Sequence, residues 1–353
     1  MSKYLHLVFG EIGGVGKSWF CKMLVEAYIS LTLDYSVVDC DETTPNVGRA
    51  YDPANYDPAT IADYRSRVLQ VEAELKPLFD EVVATAQVLE NAPKLMKKAQ
   101  LNYNNEKNDE TQAALALVTN AEPIHKAAVE AYEKAKREKM PIPPRKPIYF
   151  MSETMDDRDL PSTMISIAMK KDTIVNLPAQ VTKLVNSWME DSGLLSMSEY
   201  GLETICWFVG KPIKASIEQL RSLHAIHEGR LKIVLVKNNF VGHAGSWGEV
   251  LDDVTTSFIK TAGIISIDIL DLRLNDEQRM LIDQEYATFS GLVDKDDTRL
   301  LFHEKMKIRQ YLQRTIATIV GTGLLPVVEE PVAAVKSASK KKKSPDEFTG
   351  EIP

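Results

Sequence analysis

The segment FGEIGGVGKSWF, residues 9–20, contains the groups that proteins use to bind nucleotide phosphates. Its glycines allow the backbone to fold back, so that several N–H groups point toward one anion. We expect Lys17 to reach the β- and γ-phosphates and Ser18 to ligate Mg²⁺. The alternative is a glycine-rich turn that carries a lysine by chance. The residues that we assign to the nucleotide in this segment are Gly13, Gly14, Val15, Gly16, Lys17, Ser18 and Trp19.

The loop lies between an apolar segment, residues 4–9, and a helical pattern, residues 18–33. This order of strand, glycine-rich turn and helix is the context that such a loop requires, because the helix N-terminus adds the positive end of its dipole. The common phosphate-loop pattern has a glycine five residues before Gly16, where this chain has Glu11. The sequence therefore predicts a variant form of the phosphate-binding loop.

The bulk composition narrows the class of protein. A chain of 353 residues is long enough for one large domain or two small ones. The formal net charge of −8 makes the whole molecule a poor electrostatic match for nucleic acid or an anionic membrane, although a local basic patch stays open. The three cysteines are far apart and form no CxxC pair, which argues against a disulfide framework or a zinc ribbon. With no secretory signal and no apolar stretch of roughly 20 residues, we expect a cytoplasmic protein without membrane association.

Apolar segments that alternate with helical patterns predict an α/β fold, in which a parallel sheet is flanked by helices on both faces. The predicted strands are residues 4–9, 35–40, 148–151, 173–177, 204–209, 231–236 and 264–269. The predicted helices of this α/β part are residues 18–33, 179–195, 213–227, 247–261, 276–289 and 298–320.

Residues 54–146 differ in composition, being rich in Lys, Glu, Ala, Gln and Asn and free of glycine. Their apolar residues step by three and four along a heptad seam, with Pro77 expected to kink the helix. The seam residues are Ile61, Tyr64, Val68, Val71, Leu75, Leu78, Val82, Thr85 and Leu89. A polar turn at 102–109 and a second helical segment at 113–139 complete the pattern of an inserted antiparallel hairpin. The alternative is that these helices cover the sheet edge.

The pattern divides the chain into three parts. Residues 1–53 and 147–328 form the α/β domain, and residues 54–146 form the inserted helical, coiled-coil hairpin. Residues 329–353 are lysine-rich, contain further prolines and are predicted to be a disordered tail.

Three motifs carry a resemblance to a known family. GEIGGVGKS resembles the deviant phosphate loop of the ParA/MinD ATPases, whose core is a lysine followed by GGxGK[ST]. VVDCDETTPNVG, residues 37–48, is similar to that family's next motif, a strand ending in DxD. TIVNLPAQV, residues 173–181, is similar to the third motif, a strand ending in D-x-P. The resemblance covers residues 1–53 and about 147–325, and is nearest to plasmid partition and mobilisation members.

The resemblance implies a P-loop fold of the ParA-like type and an ATP-bound homodimer that needs Mg²⁺. Asp41 would position the attacking water, as a catalytic partner of Lys17. Asp39 and Asn176 would contribute to the Mg²⁺ shell through water, and Asn238 sits where the family often reads adenine. Carboxylates at a strand end beside a phosphate site fit these roles, since they can hold a cation and orient water. Simple solvation at a strand end is the alternative for both aspartates.

Two positions depart from the family pattern. Ile12 replaces the lysine that in relatives reaches across the dimer to the partner's nucleotide. Asn176 replaces the acidic residue of the third motif and brings no negative charge, so the hold on the cation should weaken. Loss of a cation that stabilises phosphoryl transfer is worth roughly 4–7 kcal/mol in the barrier. We therefore expect ATP binding with slow hydrolysis, and Arg49 is a candidate replacement for the missing lysine.

The leading functional expectation is an ATP-dependent dimerisation switch in plasmid partition, mobilisation or cargo positioning, with weak ATPase activity. The hairpin would then dock a partner protein, and DNA binding stays possible although the charge does not indicate it. A nucleotide-binding scaffold with negligible turnover is the first alternative. An ATP-dependent metabolic enzyme on the same fold is the second, although no nucleophilic Cys–His arrangement supports it.

Overall fold

The computed structural model describes residues 2–105, 107–145, 148, 150, 160–239 and 244–326. The strands are β1 (Lys3–Phe9), β2 (Tyr35–Asp39), β3 (Asp172–Asn176), β4 (Leu202–Gly210), β5 (Lys232–Asn238) and β6 (Ile265–Ile269). They form one six-stranded sheet in the order β2-β3-β1-β4-β5-β6, and every neighbouring pair is parallel. The predicted α/β fold with a parallel sheet is confirmed. The predicted strand at 148–151 falls largely outside the described residues, as does the predicted tail, 329–353.

The helices before β3 are α1 (Lys17–Ser30), α2 (Asn46–Tyr51), α3 (Pro53–Tyr56), α4 (Pro58–Asn105), α5 (Asp109–Thr119), α6 (Ala121–Lys139) and α7 (Leu160–Ala168). Those after β3 are α8 (Thr182–Asp191), α9 (Lys214–Ile226), α10 (Ala244–Val250), α11 (Asp253–Thr261), α12 (Asp276–Asp283), α13 (Phe289–Leu292) and α14 (Phe302–Val320). A 3₁₀ segment spans Leu194–Tyr200. No helix among the described residues is long and apolar enough to cross a bilayer.

The helical segment predicted at 113–139 is divided at Asn120 into α5 and α6. Two predicted helices of the α/β part are also each split in the structure. The predicted helix 247–261 breaks into α10 and α11 because Asp252 accepts a hydrogen bond from the backbone N–H of Thr255 at 2.7 Å and starts a new helix. The predicted helix 276–289 ends at Asp283, and Thr288 then caps α13. Both errors have the same cause, since a capping side chain overrides a continuous apolar periodicity.

Apolar residues pack on both faces of the sheet. Along β1, Leu5, Leu7 and Phe9 join one buried cluster, which also contains side chains of α7, α8 and α9. Val8 points to the other face and joins a cluster built on α1 and α14. This alternation is the period-two pattern of a strand with both faces covered. All three cysteines are buried as free thiols.

A chain of hydrogen bonds crosses the buried interior beside α1. Trp207 donates from Nε1 to Nδ1 of His6 at 3.0 Å, and Nε2 of His6 lies 2.7 Å from the hydroxyl of Tyr28. Tyr28 in turn donates to Oδ2 of Asp172 at 3.3 Å. A neutral His6 with its proton on Nε2 satisfies every bond of this chain. Burial lowers the pKa of His6 to about 3, so the ring stays neutral in the folded protein.

The insert is an antiparallel arrangement of one long helix, α4, against α5 and α6. The cross-contacts run in opposite directions along the chain: Glu74 pairs with Lys139 at 3.1 Å, and Thr85 bonds His125 at 3.1 Å. Every predicted seam residue is buried or half-buried. The helix is continuous through Pro77 and also through Pro93. The polar turn predicted at 102–109 corresponds to the break between α4 and α5, where Asn108 caps the second helix.

The end of the insert returns to the outer edge of the sheet. Arg145, which follows α6, donates to the carbonyl oxygen of Val37 and pairs with Asp52 at 3.0 Å. The N–H of Asp39 donates to the hydroxyl of Tyr56 at 2.7 Å. These contacts satisfy backbone groups of the edge strand β2, which would otherwise be open to pairing with another chain.

Candidate functional site at the carboxyl end of the sheet

The glycine-rich loop connects β1 to α1 and wraps the first turn of that helix. Gly14 and Gly16 adopt left-handed backbone angles, with φ of 70° and 92°, which a side chain would strain. A Cβ at Gly10 would lie 2.6 Å from the carbonyl oxygen of Val209, so the start of the loop passes directly against β4. The loop therefore has the backbone shape and the helix terminus that can bind an anion.

Asn238, at the end of β5, supports this loop through a side-chain hydrogen bond, and we call this contact the brace. Its Nδ2 donates to the carbonyl oxygen of Val15 at 2.7 Å, and its side chain is buried. A Cβ at Gly16 would lie 2.1 Å from the same nitrogen. The contact between Asn238 and the adenine of a nucleotide, which the resemblance implies, stays a prediction. The bracing contact was missed at the sequence level because it joins residues 223 positions apart.

Lys17 begins α1 and is only 9% exposed. Burial lowers its pKa, and the carboxylates of Asp41 and Glu11 partly oppose this effect. Among the described residues, its ammonium makes no ion pair within 4 Å. A buried cation without a paired anion is costly in free energy. An anionic ligand seated on the loop would relieve that cost.

Asp39 is fully buried, and four donors surround its carboxylate. Oδ2 accepts from the N–H groups of Val47 and Gly48 at 2.9 and 3.0 Å, which ties the start of α2 to β2. Oδ1 accepts from the side chain of Asn176 at 2.9 Å and from the N–H of Asp41 at 3.2 Å. Burial raises the pKa of Asp39 to about 6 against these hydrogen bonds. The carboxylate expected in a Mg²⁺ shell is thus engaged in positioning the loop that follows β2.

Asn176 connects this carboxylate to the phosphate loop. Its Nδ2 lies 3.2 Å from the hydroxyl of Ser18 as well as 2.9 Å from Asp39. Its Oδ1 is buried and has no hydrogen-bond partner in the part of the chain that the structure describes. A buried acceptor without a partner costs about 1–3 kcal/mol. A water bound to Mg²⁺ would satisfy this oxygen, so the donor set of Ser18 and Asn176 fits the cation that the sequence predicts.

Asp41 lies at the entrance of the site, where it is half-buried. Its carboxylate accepts from the N–H groups of Thr43 and Thr44 at 3.1 and 2.9 Å. It also lies near enough to Lys17 to raise the pKa of that ammonium. The structure therefore brings the two predicted catalytic side chains to the same end of the sheet.

Three side chains that the sequence analysis connected with the nucleotide, those of Ile12, Trp19 and Arg49, make other contacts in the fold. Ile12 packs against the buried cluster on α1 and α14. The indole of Trp19 donates to the hydroxyl of Tyr311 at 2.8 Å, so its side chain serves packing. Arg49 donates to the hydroxyl of Tyr286 and lies over that ring at 5.0 Å. Its Nε is buried and has no hydrogen-bond partner among the described residues.

One contact of the loop was not predicted from the sequence. Thr182, the first residue of α8, donates its hydroxyl proton to the carboxylate of Glu11. The sequence marked Glu11 only as a departure from glycine. The structure makes it an acidic group that links the phosphate loop to α8 and lies near Lys17.

No group of three or more His, Cys, Asp and Glu side chains that could hold a metal occurs among the described residues. No protein-family model matches this chain, and no curated protein is significantly similar to it. The likeness to the ParA/MinD family therefore rests on the three sequence motifs and stays a prediction.

Proposed function

We propose that this chain binds ATP with Mg²⁺ at the β1–α1 loop and acts as a ParA/MinD-type switch that dimerises on the nucleotide. The observation that supports the proposal is the buried Lys17, which makes no ion pair with any described residue, at the start of a helix that follows a left-handed glycine turn. Such an arrangement favours a multiply charged anion such as a triphosphate. Partition of plasmids, mobilisation or positioning of another cargo is the proposed role.

Each residue of the site has a proposed part in binding the phosphates or Mg²⁺. Backbone N–H groups from Gly13 to Trp19 surround the phosphates, and Lys17 neutralises their charge. Ser18 would ligate Mg²⁺ directly, and Oδ1 of Asn176 would accept from one of its waters. A bound cation would supply positive charge that offsets the negative charge developing on the phosphates during transfer. Asp41 is the acceptor that would orient a water toward the γ-phosphate.

We expect slow hydrolysis because neither position 12 nor Arg49 supplies a free cation at the nucleotide. Position 12 carries no cation, and Ile12 is half-buried against the core. The guanidinium of Arg49 is held by Tyr286, and release from this ring is required before it can act at a nucleotide. A missing charge of this kind raises the barrier by about 4–7 kcal/mol. The nucleotide would then persist long enough to hold two subunits together.

The helical insert is the proposed docking arm for a partner protein. It joins the α/β part beside β2, the strand whose end carries Asp39. A partner that moves the insert would therefore act on a strand that ends at the nucleotide site. This is a mechanical argument for coupling between the arm and ATP.

The proposal is tested by isothermal titration calorimetry of the whole protein with ATP and Mg²⁺. We expect saturable binding in the wild type and a loss of at least 100-fold in Lys17→Ala, on the scale of a charge-assisted contact in a buried site. Lys214→Ala, which removes an exposed lysine of α9, is the matched control and should bind normally. Wild-type protein that gives no heat would end the proposal. Sedimentation with ADP, ATP and a non-hydrolysable analogue then tests for a dimer specific to the triphosphate.

A nucleotide-binding scaffold with negligible turnover is the second candidate. The neutral side chain of Asn176 and the four donors on Asp39 favour it, because together they leave little negative charge for a catalytic cation. Phosphate release by the wild type beside Lys17→Ala distinguishes the two. Equal background rates would favour the scaffold.

A further inference from the structure

A cavity lies beside β2, at the outer edge of the sheet. Its lining residues are well separated in sequence from the glycine loop. It has a volume of about 530 Å³ and is formed between α7 and the outer edge of the sheet. Thr163, Ser166, Ile167 and Lys170 line it from α7 and the turn that follows, at the spacing of one helix face. The opposite face of α7, with Met164 and Ala168, packs into the core instead.

The other wall of the cavity is basic. Ser36, Arg145 and Lys171 complete the lining. Together with Lys170, the cavity therefore has three cationic side chains, and the rest of its surface is mainly apolar. An adjoining cleft of about 400 Å³ shares Ser36, Arg145 and Lys171 and contains Asp34 and Asp52.

Two of the three cationic side chains form ion pairs with aspartates. Lys171 pairs with Asp34 at 2.6 Å, and Arg145 pairs with Asp52 at 3.0 Å. Lys170 makes no ion pair with any described residue. The result is a local excess of positive charge at an apolar cavity, on a protein with a formal charge of −8. Small-molecule sites combine these features: a volume of roughly 300–1,000 Å³, apolar walls and a few convergent polar groups.

We propose that this cavity binds a small organic anion with an apolar body and a single acidic head group. The body lies along Ile167 and the aliphatic stems of the lysines. The head group contacts Lys170, with the hydroxyls of Ser36 and Ser166 as further donors. A neutral molecule of the same shape would leave Lys170 without an ion-pair partner among the described residues, so the charge of the head group decides affinity. The proposal does not depend on ATP binding at the loop.

The site is also placed to influence the first one. Ser36 lies on β2, three residues before Asp39, and Arg145 bonds the backbone of that strand at Val37. A ligand that draws Arg145 toward its head group would change a contact of β2, the strand that ends at Asp39.

The test uses the fluorescent anion 8-anilinonaphthalene-1-sulfonate on the full chain, with its uncharged parent N-phenyl-1-naphthylamine as the matched probe. We expect one saturable site for the sulfonate and at least fivefold weaker binding of the neutral amine. Decanoate and decyl phosphate should displace the sulfonate where decanol does not, and their ranking identifies a carboxylate or a phosphate head group. The titrations are repeated with saturating ATP and Mg²⁺, which should leave the sulfonate bound.

Substitutions in the lining test whether the sulfonate binds in this cavity. Lys170→Gln should weaken sulfonate binding about threefold to fivefold, on the scale of one exposed cation, and Ser166→Trp should abolish binding by filling the cavity. Lys295→Gln, an exposed lysine between α13 and α14, is the control and should have no effect. Displacement by ATP, equal affinity for the neutral amine, or unchanged binding in Lys170→Gln would each overturn the proposal. Since Lys170 is exposed, its variant is expected to fold normally.

Discussion

Asn176 donates from its side-chain nitrogen to Oδ1 of Asp39 at 2.9 Å, across the paired ends of β3 and β2. Both side chains are buried, so a neutral amide faces a carboxylate in a region of low dielectric constant. An acidic residue at position 176 would place two carboxylates within hydrogen-bonding distance. The unusual amide and the fully engaged Asp39 are therefore two parts of one arrangement.

The first prediction concerns Asn176→Asp. Without Mg²⁺ near neutral pH, we expect the free energy of unfolding to fall by about 2–4 kcal/mol, because two adjacent buried carboxylates cannot both ionise. One of them would share a proton with the other, so its pKa in the folded state is raised. The deficit must then shrink as the pH falls through that raised pKa toward the ordinary carboxyl value. Urea unfolding at several pH values measures it.

Asn176→Ala is the control for this prediction. It removes the donor to Asp39 and places no second carboxylate there, so its deficit should not recover at low pH in the same way. Mg²⁺ should restore stability to Asn176→Asp and not to the alanine variant. A deficit in Asn176→Asp that is independent of both pH and Mg²⁺ would contradict the close pairing.

The second prediction tests the brace beneath the phosphate loop. Gly16→Ala should cost about 2–4 kcal/mol, since its Cβ meets Asn238 and its backbone is left-handed. In the double variant Gly16→Ala/Asn238→Ala the clash disappears and only the backbone strain remains. The two costs should therefore fail to add by at least about 1 kcal/mol, as contacting residues do. Urea unfolding of the wild type and the three variants closes this cycle.

Gly14→Ala isolates the backbone effect. Its φ is also left-handed, at 70°, yet no heavy atom lies within 4 Å of the Cβ that would be added. It should cost only about 1–2 kcal/mol, the strain of the left-handed conformation. Additive costs at Gly16 and Asn238 would show that the two residues do not touch.

These contacts show what the sequence could and could not predict. The loop was predictable because its glycines, Lys17 and Ser18 are local and have a fixed spacing. The parallel sheet and the seam of α4 followed from periodicity. The brace from Asn238 to Val15 and the bond from Thr182 to Glu11 join residues 223 and 171 positions apart. Such pairings depend on strand order, which no local pattern specifies.

The third prediction concerns the acidic group at the loop. Glu11→Gln removes a negative charge near Lys17 and leaves an amide oxygen that can still accept from Thr182. We expect ATP to bind about threefold to tenfold more tightly, because the carboxylate repels phosphate oxygens. Calorimetric titration with ATP and Mg²⁺ at low and high salt checks this. The gain should be largest at low salt.

Thr182→Val separates charge from geometry at this contact. It breaks the hydrogen bond and keeps the carboxylate, so ATP affinity should not increase. If Thr182→Val, which keeps the carboxylate, tightened binding as much as Glu11→Gln, removal of the charge would not be required and the repulsion argument would fail. If neither changed affinity, Glu11 would lie too far from the phosphates to matter.

The last prediction is a pH dependence of stability that originates at His6. Its pKa is about 3 in the folded protein, against 6.5 for the ordinary side chain. Below pH 6.5 the unfolded chain binds a proton that the folded one refuses, so the free energy of unfolding falls as the pH falls toward 3. The slope approaches about 1.4 kcal/mol per pH unit. Asp39 acts in the opposite sense, because its folded-state pKa is raised to about 6.

His6→Phe isolates this contribution, since the effect of Asp39 is common to both proteins and cancels in their difference. At pH 7.5 the variant should be less stable by about 1–3 kcal/mol, because it leaves Nε1 of Trp207 without its acceptor. That deficit should shrink as the pH is lowered from 6.5, and near pH 4 the variant should equal or exceed the wild type. Parallel stability curves across this range would mean that His6 takes up its proton in the folded state, against the chain of donors that runs from Trp207 to Asp172.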